Sequence, residues 1–321
     1  MKVAVTDYTF DALDVERAIL EPMGCKVVGP YAKDEPDSLL TLVSDADCVI
    51  TQFAPVDARV IEAMGRARAI VRYGIGVDNV DLDAAQARGI PVCNVPDYCI
   101  DEVADHTLGL ILALSRQFIR HRDMVRGGRW KSGAPLHALH ALKALTVGIV
   151  GFGRIGRAVA ERLRPFRCMT IVADPMVPQD QIERTGCMPV TLDQMLRTAD
   201  VVTLHCPSLP ATRRMIDAAA LRKMKPGALF INVARGDLVD TKALIDALQS
   251  GRLGGAGLDV CDPEPVPPDS SLLGMDNVIL TPHVASASVP AVAKLRRSAA
   301  ETAAKAVRGE PVPNVVNGVD S

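Results

Sequence analysis

The sequence predicts an α/β chain of two doubly wound, parallel-sheet lobes, and three observations carry that expectation. Short apolar, β-branched runs alternate with helical patterns along nearly the whole length, as repeated βα units with a sheet covered on both faces require. The length, 321 residues, exceeds the usual size of one domain, so two cores are expected. The run at 146–150 breaks into Gly151-Phe-Gly153-Arg154-Ile155-Gly156 before a helical pattern that puts Ile155, Val159 and Leu163 on one face.

Taken in order, apolar runs at 2–7, 25–29, 48–52, 69–73 and 91–95 read as strands. Periodic segments at 11–23, 36–44, 56–66 and 82–88 read as the helices between them. A long helix is expected over 101–126, after which Gly127, Gly128 and an irregular stretch at 130–140 lead to the glycine-bearing strand. Alternation resumes with strands at 146–150, 169–173, 187–190, 201–205, 228–233, 255–259 and 278–281. A closing helix covers 289–308.

Hydrophobic residues make up 48% of the chain but aromatic ones only 3%, so the cores must be built from Ala, Val, Ile and Leu. A net charge of −2 gives no field to attract nucleic acid or an anionic membrane. The apolar stretches fall far short of the ~18 residues of a membrane span, and Met1-Lys2 runs directly into a strand, leaving no room for a signal peptide. Eight cysteines (25, 48, 93, 99, 168, 187, 206 and 261) are scattered, several inside apolar runs, as reduced and mostly buried thiols of a cytoplasmic protein would be. His137 and His140 have no Cys or acid to complete a ligand set, so no metal is expected.

A strand that enters a helix through Gly-x-Gly-x-x-Gly is a dinucleotide-binding turn. Gly151 makes the turn, Gly153 lets the backbone approach a pyrophosphate, and Gly156 lets helix and strand pack closely. The pyrophosphate sits on the helix N-terminus, where free N–H groups and the dipole favour an anion. The next strand ends in Asp174, 18 residues past Gly156, at the distance that meets an adenosine ribose.

In open parallel sheets ligands bind at the carboxyl ends of strands. His205, Arg235, Asp259 and His283 stand at such ends, and Glu264 lies in a loop between Pro263 and Pro265. In the first lobe Arg72-Tyr73-Gly74-Ile75-Gly76 ends a strand in a turn whose N–H groups can converge on an anion. Together these parts make a hydride-transfer site for an anionic carbonyl compound. Arg235 offers a fork for a carboxylate, and a histidine donates the proton, its charge favoured by a neighbouring carboxylate such as Glu264. On the residues alone either His205 or His283 could be that donor, while His106 and His121, on the long helix, read as structural or exposed.

Five motifs then resemble one family. Tyr73-Gly-Ile-Gly-Val-Asp-Asn79, the Gly151–Gly153–Gly156 turn, Asn232-Val-Ala-Arg235-Gly, Leu258-Asp259-Val with Glu264-Pro265, and Thr281-Pro282-His283 look like the D-isomer-specific 2-hydroxyacid dehydrogenases. They occur in the family's order and span nearly the whole chain. Asn94-Val-Pro-Asp-Tyr and Asp101-Glu-Val-Ala-Asp-His-Thr107 resemble especially its carboxy-terminal binding protein branch.

The resemblance implies a catalytic trio of Arg235, Glu264 and His283, which makes His205 a cofactor-pocket residue. It implies NAD as cofactor, held by Thr107, Gly151, Gly153, Arg154, Ile155, Gly156, Asp174, His205, Cys206, Pro207, Thr212, Val233, Ala234, Asp259, Ala285 and Ser286. The substrate carboxylate would meet Arg72, Tyr73, Gly74, Ile75 and Gly76. A Rossmann cofactor lobe (99–287) would be inserted into a flavodoxin-like substrate lobe (1–98 and 288–321) and would supply a homodimer contact through the long helix.

The activity implied is the interconversion of a small 2-oxo acid and a D-2-hydroxy acid. The alternative is an NAD(H)-sensing dimeric binding protein, against which the intact trio argues, since sensing needs no proton donor. Val284 to Ser288 offer no aromatic wall of the kind the branch's eukaryotic members carry three positions past the histidine. Neither 8–10 nor 51–54 contains Lys or Arg, so an unphosphorylated acid such as glyoxylate or hydroxypyruvate is expected. Residues 175–178 offer no cation to a ribose phosphate, so NADH is expected over NADPH.

Overall fold

The structure is a computed structural model that describes residues 1–35 and 37–319. The chain divides into two compact units, Met1–Tyr98 with Ser288–Ser321, and Cys99–Ala287.

In the first unit β1 (Lys2–Val5), α1 (Asp14–Leu20), β2 (Lys26–Val28), α2 (Ser38–Val43), β3 (Cys48–Thr51), α3 (Ala58–Ala63), β4 (Ile70–Arg72), α4 (Leu82–Ala87) and β5 (Val92–Cys93) follow one another. The strands form one all-parallel sheet in the order β2-β1-β3-β4-β5, the flavodoxin-like arrangement. Period-2 alternation explains its two cores. Val3, Val5, Cys48, Ile50, Val71 and Cys93 face one layer, and Ala4, Val49, Ile70 and Val92 the other. The second layer is closed by α2, α3 and α4. The first is closed largely by the helix Val289–Arg308, whose Ala299, Ala300 and Ala303 leave room for the sheet's Val and Cys side chains. Ser288 caps that helix by accepting the Ala291 N–H (3.1 Å).

The strands of this unit are a little shorter than their apolar runs, in part because the last residues of each run already turn into carboxyl-end loops. Tyr73 is buried yet lies beyond β4. The helix expected over 36–44 is observed from Ser38, and position 36 lies outside the described residues.

The second unit opens with α5 (Ile100–Ser115) and α6 (Phe118–Arg126). This corrects the single helix expected over 101–126. Gln117 adopts a left-handed backbone (φ 54°) and breaks the helix there, with its side-chain amide donating to the Leu114 carbonyl (2.9 Å). No Gly or Pro marks that break, so the pattern could not reveal it.

There follow β6 (Thr146–Val150), α7 (Arg154–Leu163), β7 (Met169–Ala173), α8 (Gln179–Glu183), β8 (Met188–Pro189), α9 (Leu192–Thr198) and β9 (Val201–Leu204). After these come α10 (Ala218–Lys223), β10 (Ala228–Asn232), α11 (Thr241–Gln249), β11 (Leu253–Leu258) and β12 (Val278–Leu280). The sheet order β12-β11-β10-β9-β6-β7-β8 is parallel throughout. It reverses direction at β6 and β9, the switch point where a doubly wound sheet opens a crevice.

One detail of this sheet positions the site. A side chain on Gly257 would meet Leu110 and Ile231 at 3.1 Å, and one on Gly255 would meet Leu114 at 3.2 Å. The two glycines therefore let α5 lie close against β11. His106, one turn before Leu110 on the same helix face, is thereby brought to the carboxyl end of the sheet.

Candidate active site

The glycine-rich turn joins β6 to α7 at the switch point. Gly151 has φ 90°, and a side chain there would strike the His205–Cys206 backbone within 3 Å. Gly156 is pressed against the Gly151 carbonyl (2.1 Å from an added Cβ). Gly153, the residue before α7, faces open space, as does a backbone that a ligand can approach. Asp174 closes the far side. Its carboxylate accepts the Phe152 N–H (2.6 Å) and the Met176 N–H (2.8 Å), so the acid is tied to the turn itself. Each oxygen keeps a second lone pair for a ribose hydroxyl.

His205 follows β9. Burial lowers its pKa to about 3, so the ring is neutral at physiological pH and unsuited to proton donation. Its Nε2 pairs with the Thr203 hydroxyl (2.9 Å). The neighbouring Cys206 thiol is pushed up to about 11 by burial and stays protonated. Thr212 closes the 207–212 turn, donating to the Pro207 carbonyl (2.7 Å) and accepting the Leu209 N–H (2.8 Å).

Arg235, Glu264 and His283 all belong to this unit. Arg235 leaves β10 on a turn shaped by the buried Asn232, whose amide donates to the Arg235 carbonyl (2.7 Å) and accepts the Ala234 N–H (3.0 Å). Glu264 Oε1 lies 2.6 Å from His283 Nδ1. Partial burial pulls the Glu264 carboxyl upward, but the His283 hydrogen bond and charge, the Cys261 N–H and the Arg235 charge outweigh it. The net result holds the carboxyl below its usual range. The Arg235 charge thus acts on the Glu264–His283 pair. With Nδ1–H donated to the carboxylate, Nε2 is an acceptor in the neutral ring and carries the second, transferable proton in the charged one.

His283 itself stands at φ 52°, a left-handed conformation that costs a residue with a β-carbon about 1–2 kcal/mol. Such a conformation persists only where the surroundings impose it. Here Asp259, at the end of β11 and 2% exposed, does so. Its carbonyl accepts the His283 N–H (2.8 Å), and its carboxylate accepts the Val284 N–H (2.9 Å), the Ala285 N–H (2.9 Å) and the Thr281 hydroxyl (2.6 Å). His106 Nε2 reaches Thr281 Oγ1 at 3.0 Å. Neither Thr281 nor Asn232 was assigned a task from the sequence. Their only signal is position, each inside a motif and next to a charged residue at a strand end. Thr107, beside His106, spends its hydroxyl on the Val103 carbonyl (2.7 Å). Val233, Ala234, Ala285 and Ser286 line the two turns that carry Arg235 and His283.

In the first unit the Arg72–Gly76 segment leaves β4. Arg72 is buried, its guanidinium 5.8 Å from the centre of the Phe53 ring. Gly74 has φ 150°, a backbone angle that residues with a β-carbon rarely adopt, and an added side chain would displace the Arg72 guanidinium. Its N–H donates to the Arg72 carbonyl (2.9 Å), which removes it from the set of anion donors. Gly74 therefore acts through its shape rather than through its N–H. Sequence reasoning also passed over Asp7. Its buried carboxylate accepts the Gln52 N–H (3.0 Å), the Phe53 N–H (2.8 Å) and the Thr6 hydroxyl (2.7 Å). The loop after β3 is thus anchored on a negative charge.

Comparison with known proteins agrees with this geometry. Residues 108–285 match the model of the D-isomer specific 2-hydroxyacid dehydrogenase, NAD binding domain. Glyoxylate reductase of Korarchaeum cryptofilum is 39% identical over 298 residues, covering 92% of this chain and 87% of that protein. D-3-phosphoglycerate dehydrogenase of Mycobacterium leprae is 40% identical over 291 residues, 88% of this chain, but this chain spans only 54% of that longer protein. The crystal structure of Aquifex aeolicus D-lactate dehydrogenase complexed with NAD and lactic acid superimposes with a TM-score of 0.86 at 28% identity, covering 97% of this chain and 96% of that one. The chain belongs to the D-isomer-specific 2-hydroxyacid dehydrogenase family. It is an NAD-dependent oxidoreductase that interconverts 2-oxo acids and D-2-hydroxy acids. A purely NAD(H)-sensing role is not favoured.

Proposed function

We propose that this enzyme reduces a small, unphosphorylated 2-oxo acid, with Arg235, Glu264 and His283 as its catalytic residues. The observation that carries the proposal is the 2.6 Å pair between Glu264 and His283. The open backbone at Gly153 and the acid at Asp174 fit NAD, and when bound its nicotinamide supplies or accepts the hydride. Arg235 binds and polarises the carbonyl compound. His283 gives its Nε2 proton to the substrate oxygen in reduction and takes it back in oxidation. Glu264 fixes the tautomer and stabilises the charged ring.

Three further points belong to the proposal. The loop after β3 carries no cation, and its Gln52 and Phe53 amides are already spent on Asp7. Arg72, whose guanidinium lies 5.8 Å from the centre of the Phe53 ring, is assigned to the substrate carboxylate, so a dianionic phosphate there would lack a cation of its own and meet the Asp7 carboxylate. A homodimer is supported by the apolar side chains Phe118, Val125, Trp130 and Leu136, all exposed on α6 and the segment after it. A cytoplasmic location is supported by eight free cysteines. Among the described residues no helix is long and apolar enough to cross a membrane.

The test is NADH oxidation with glyoxylate, hydroxypyruvate and phosphohydroxypyruvate, repeated with NADPH. The expected result is a kcat/KM for the best unphosphorylated acid at least about tenfold above that for the phosphorylated one, with NADH preferred, since an unpaired buried charge is costly. Preference for phosphohydroxypyruvate would refute the substrate assignment. Equal use of NADPH would refute the role of Asp174.

A further inference from the structure

On the sequence His106, like His121, reads as structural or exposed, yet its ring is bonded into the network that shapes the His283 turn. The order of that network can be read from proton counting. Thr281 has one hydroxyl proton, and at 2.6 Å it goes to the carboxylate of Asp259, which has none to give. The Thr281 oxygen can then only accept from its other neighbour. His106 Nε2, at 3.0 Å, must therefore be the donor. The same Nε2 lies 3.8 Å from Asp259 Oδ1. The chain runs from His106 through Thr281 to Asp259, and from that carboxylate to the Val284 and Ala285 N–H groups that bracket the turn. Asp259 is nearly inaccessible, so its orientation is set by these donors rather than by water.

We infer that His106 is a positioning residue for His283. By donating from Nε2 to Thr281 it fixes the rotamer of Thr281 and the carboxylate plane of Asp259. Those in turn hold His283 at its left-handed backbone angle, with its ring on Glu264. The inference rests on His283 being the acid/base residue. α5 is anchored for the task from two sides. Gly255 and Gly257 seat it on β11, and Arg162 of α7 pairs with its Asp105 (2.5 Å) and Asp101 (2.6 Å).

The test compares His106→Leu, which removes the donor, with His106→Gln, whose side-chain amide can place an N–H near the position of Nε2. Loss of positioning predicts a kcat about 10- to 100-fold lower in His106→Leu, because small displacements of a catalytic group are costly. The NADH dissociation constant should stay within about twofold and the circular dichroism spectrum unchanged, with most of the activity restored in His106→Gln. Thr281→Val should reproduce the loss and Thr281→Ser relieve it. The double variant His106→Leu/Thr281→Val should be no worse than either single one, as members of one chain are not additive. Equal kcat for His106→Leu and wild type, equal loss in the Leu and Gln variants, or a loss confined to NADH binding would each overturn the inference. If His106→Leu does not fold, the Thr281→Val and Thr281→Ser pair decides the matter alone. His283→Gln serves as the control. Full activity in it would mean that the acid/base reading has failed, whereas an inactive His283→Gln beside a fully active His106→Leu would mean that only the positioning claim has.

Discussion

Each unit contains a carboxylate paired with a nitrogen base, and the two pairs are built to opposite ends. In the first unit Glu16 is fully buried and accepts Arg296 Nε (3.0 Å), Arg296 Nη2 (2.7 Å) and the Tyr73 hydroxyl (2.9 Å). Arg296 also lies over the Phe10 ring, 4.3 Å from its centre. The hydrogen bond that Arg296 donates to Glu16 raises the Arg296 pKa, and burial raises that of Tyr73, so neither changes charge at any physiological pH. In the second unit the Glu264 and His283 side chains remain 39% and 25% exposed, and the base is an imidazole, which can hold or release a proton. A dry pair with a permanent charge fastens the closing helix to α1. A wet pair with a titratable partner can pass a proton. Burial and the choice of base, rather than the presence of an ion pair, separate architecture from chemistry.

The largest effect should come from breaking the dry pair. Glu16→Ala leaves Arg296 buried without its main partner and is expected to cost about 3–5 kcal/mol, read as a large downward shift of the first thermal unfolding transition. A shift no bigger than that of a surface variant would erase the contrast.

The wet pair should behave in reverse. Glu264→Gln is expected to change stability by no more than about 1 kcal/mol, since half-exposed pairs are weakly stabilising. Its kcat should fall by about 10- to 100-fold, as loss of support for a proton donor does. The pH dependence sharpens the point. Because the folded Glu264 carboxyl is held below its usual range, its stabilising share is complete above the unfolded value of about 4.3 and is lost as pH falls through the lower folded value. Wild-type and Glu264→Gln stability curves should therefore converge in acid and separate above that window.

The smallest effect concerns His205. Burial lowers its pKa to about 3, so the unfolded state binds a proton that the folded state does not between about pH 6.5 and that value. Stability should fall as pH drops through this interval, and His205→Gln should show a flatter slope in acid-unfolding measurements. An unchanged slope would mean that the ring takes up a proton without unfolding the protein.

Much of this was legible in the sequence because parallel sheets announce themselves. The alternating apolar runs reveal two doubly wound lobes, and strand ends locate Arg235, Asp259 and His283 without any contact being known. What stayed hidden is carried by short-range geometry. The break at Gln117 depends on one left-handed residue without a glycine to signal it. The use of the Gly74 N–H by Arg72, and of two loop amides by Asp7, depends on which groups a turn brings together. The link from His106 to Asp259 joins positions far apart in the chain, and only the packing of α5 on β11 makes them neighbours. Periodicity reports which face of an element is buried, but not which polar groups meet at its ends.

The central claim, that the Glu264–His283 pair moves the proton, is tested most directly by His283→Gln assayed with NADH and the best 2-oxo acid. The account predicts a kcat lower by about 10²-fold or more, as removal of a positioned proton donor gives, with NADH affinity near that of the wild type. A near-normal kcat would contradict it and take His283 out of the mechanism.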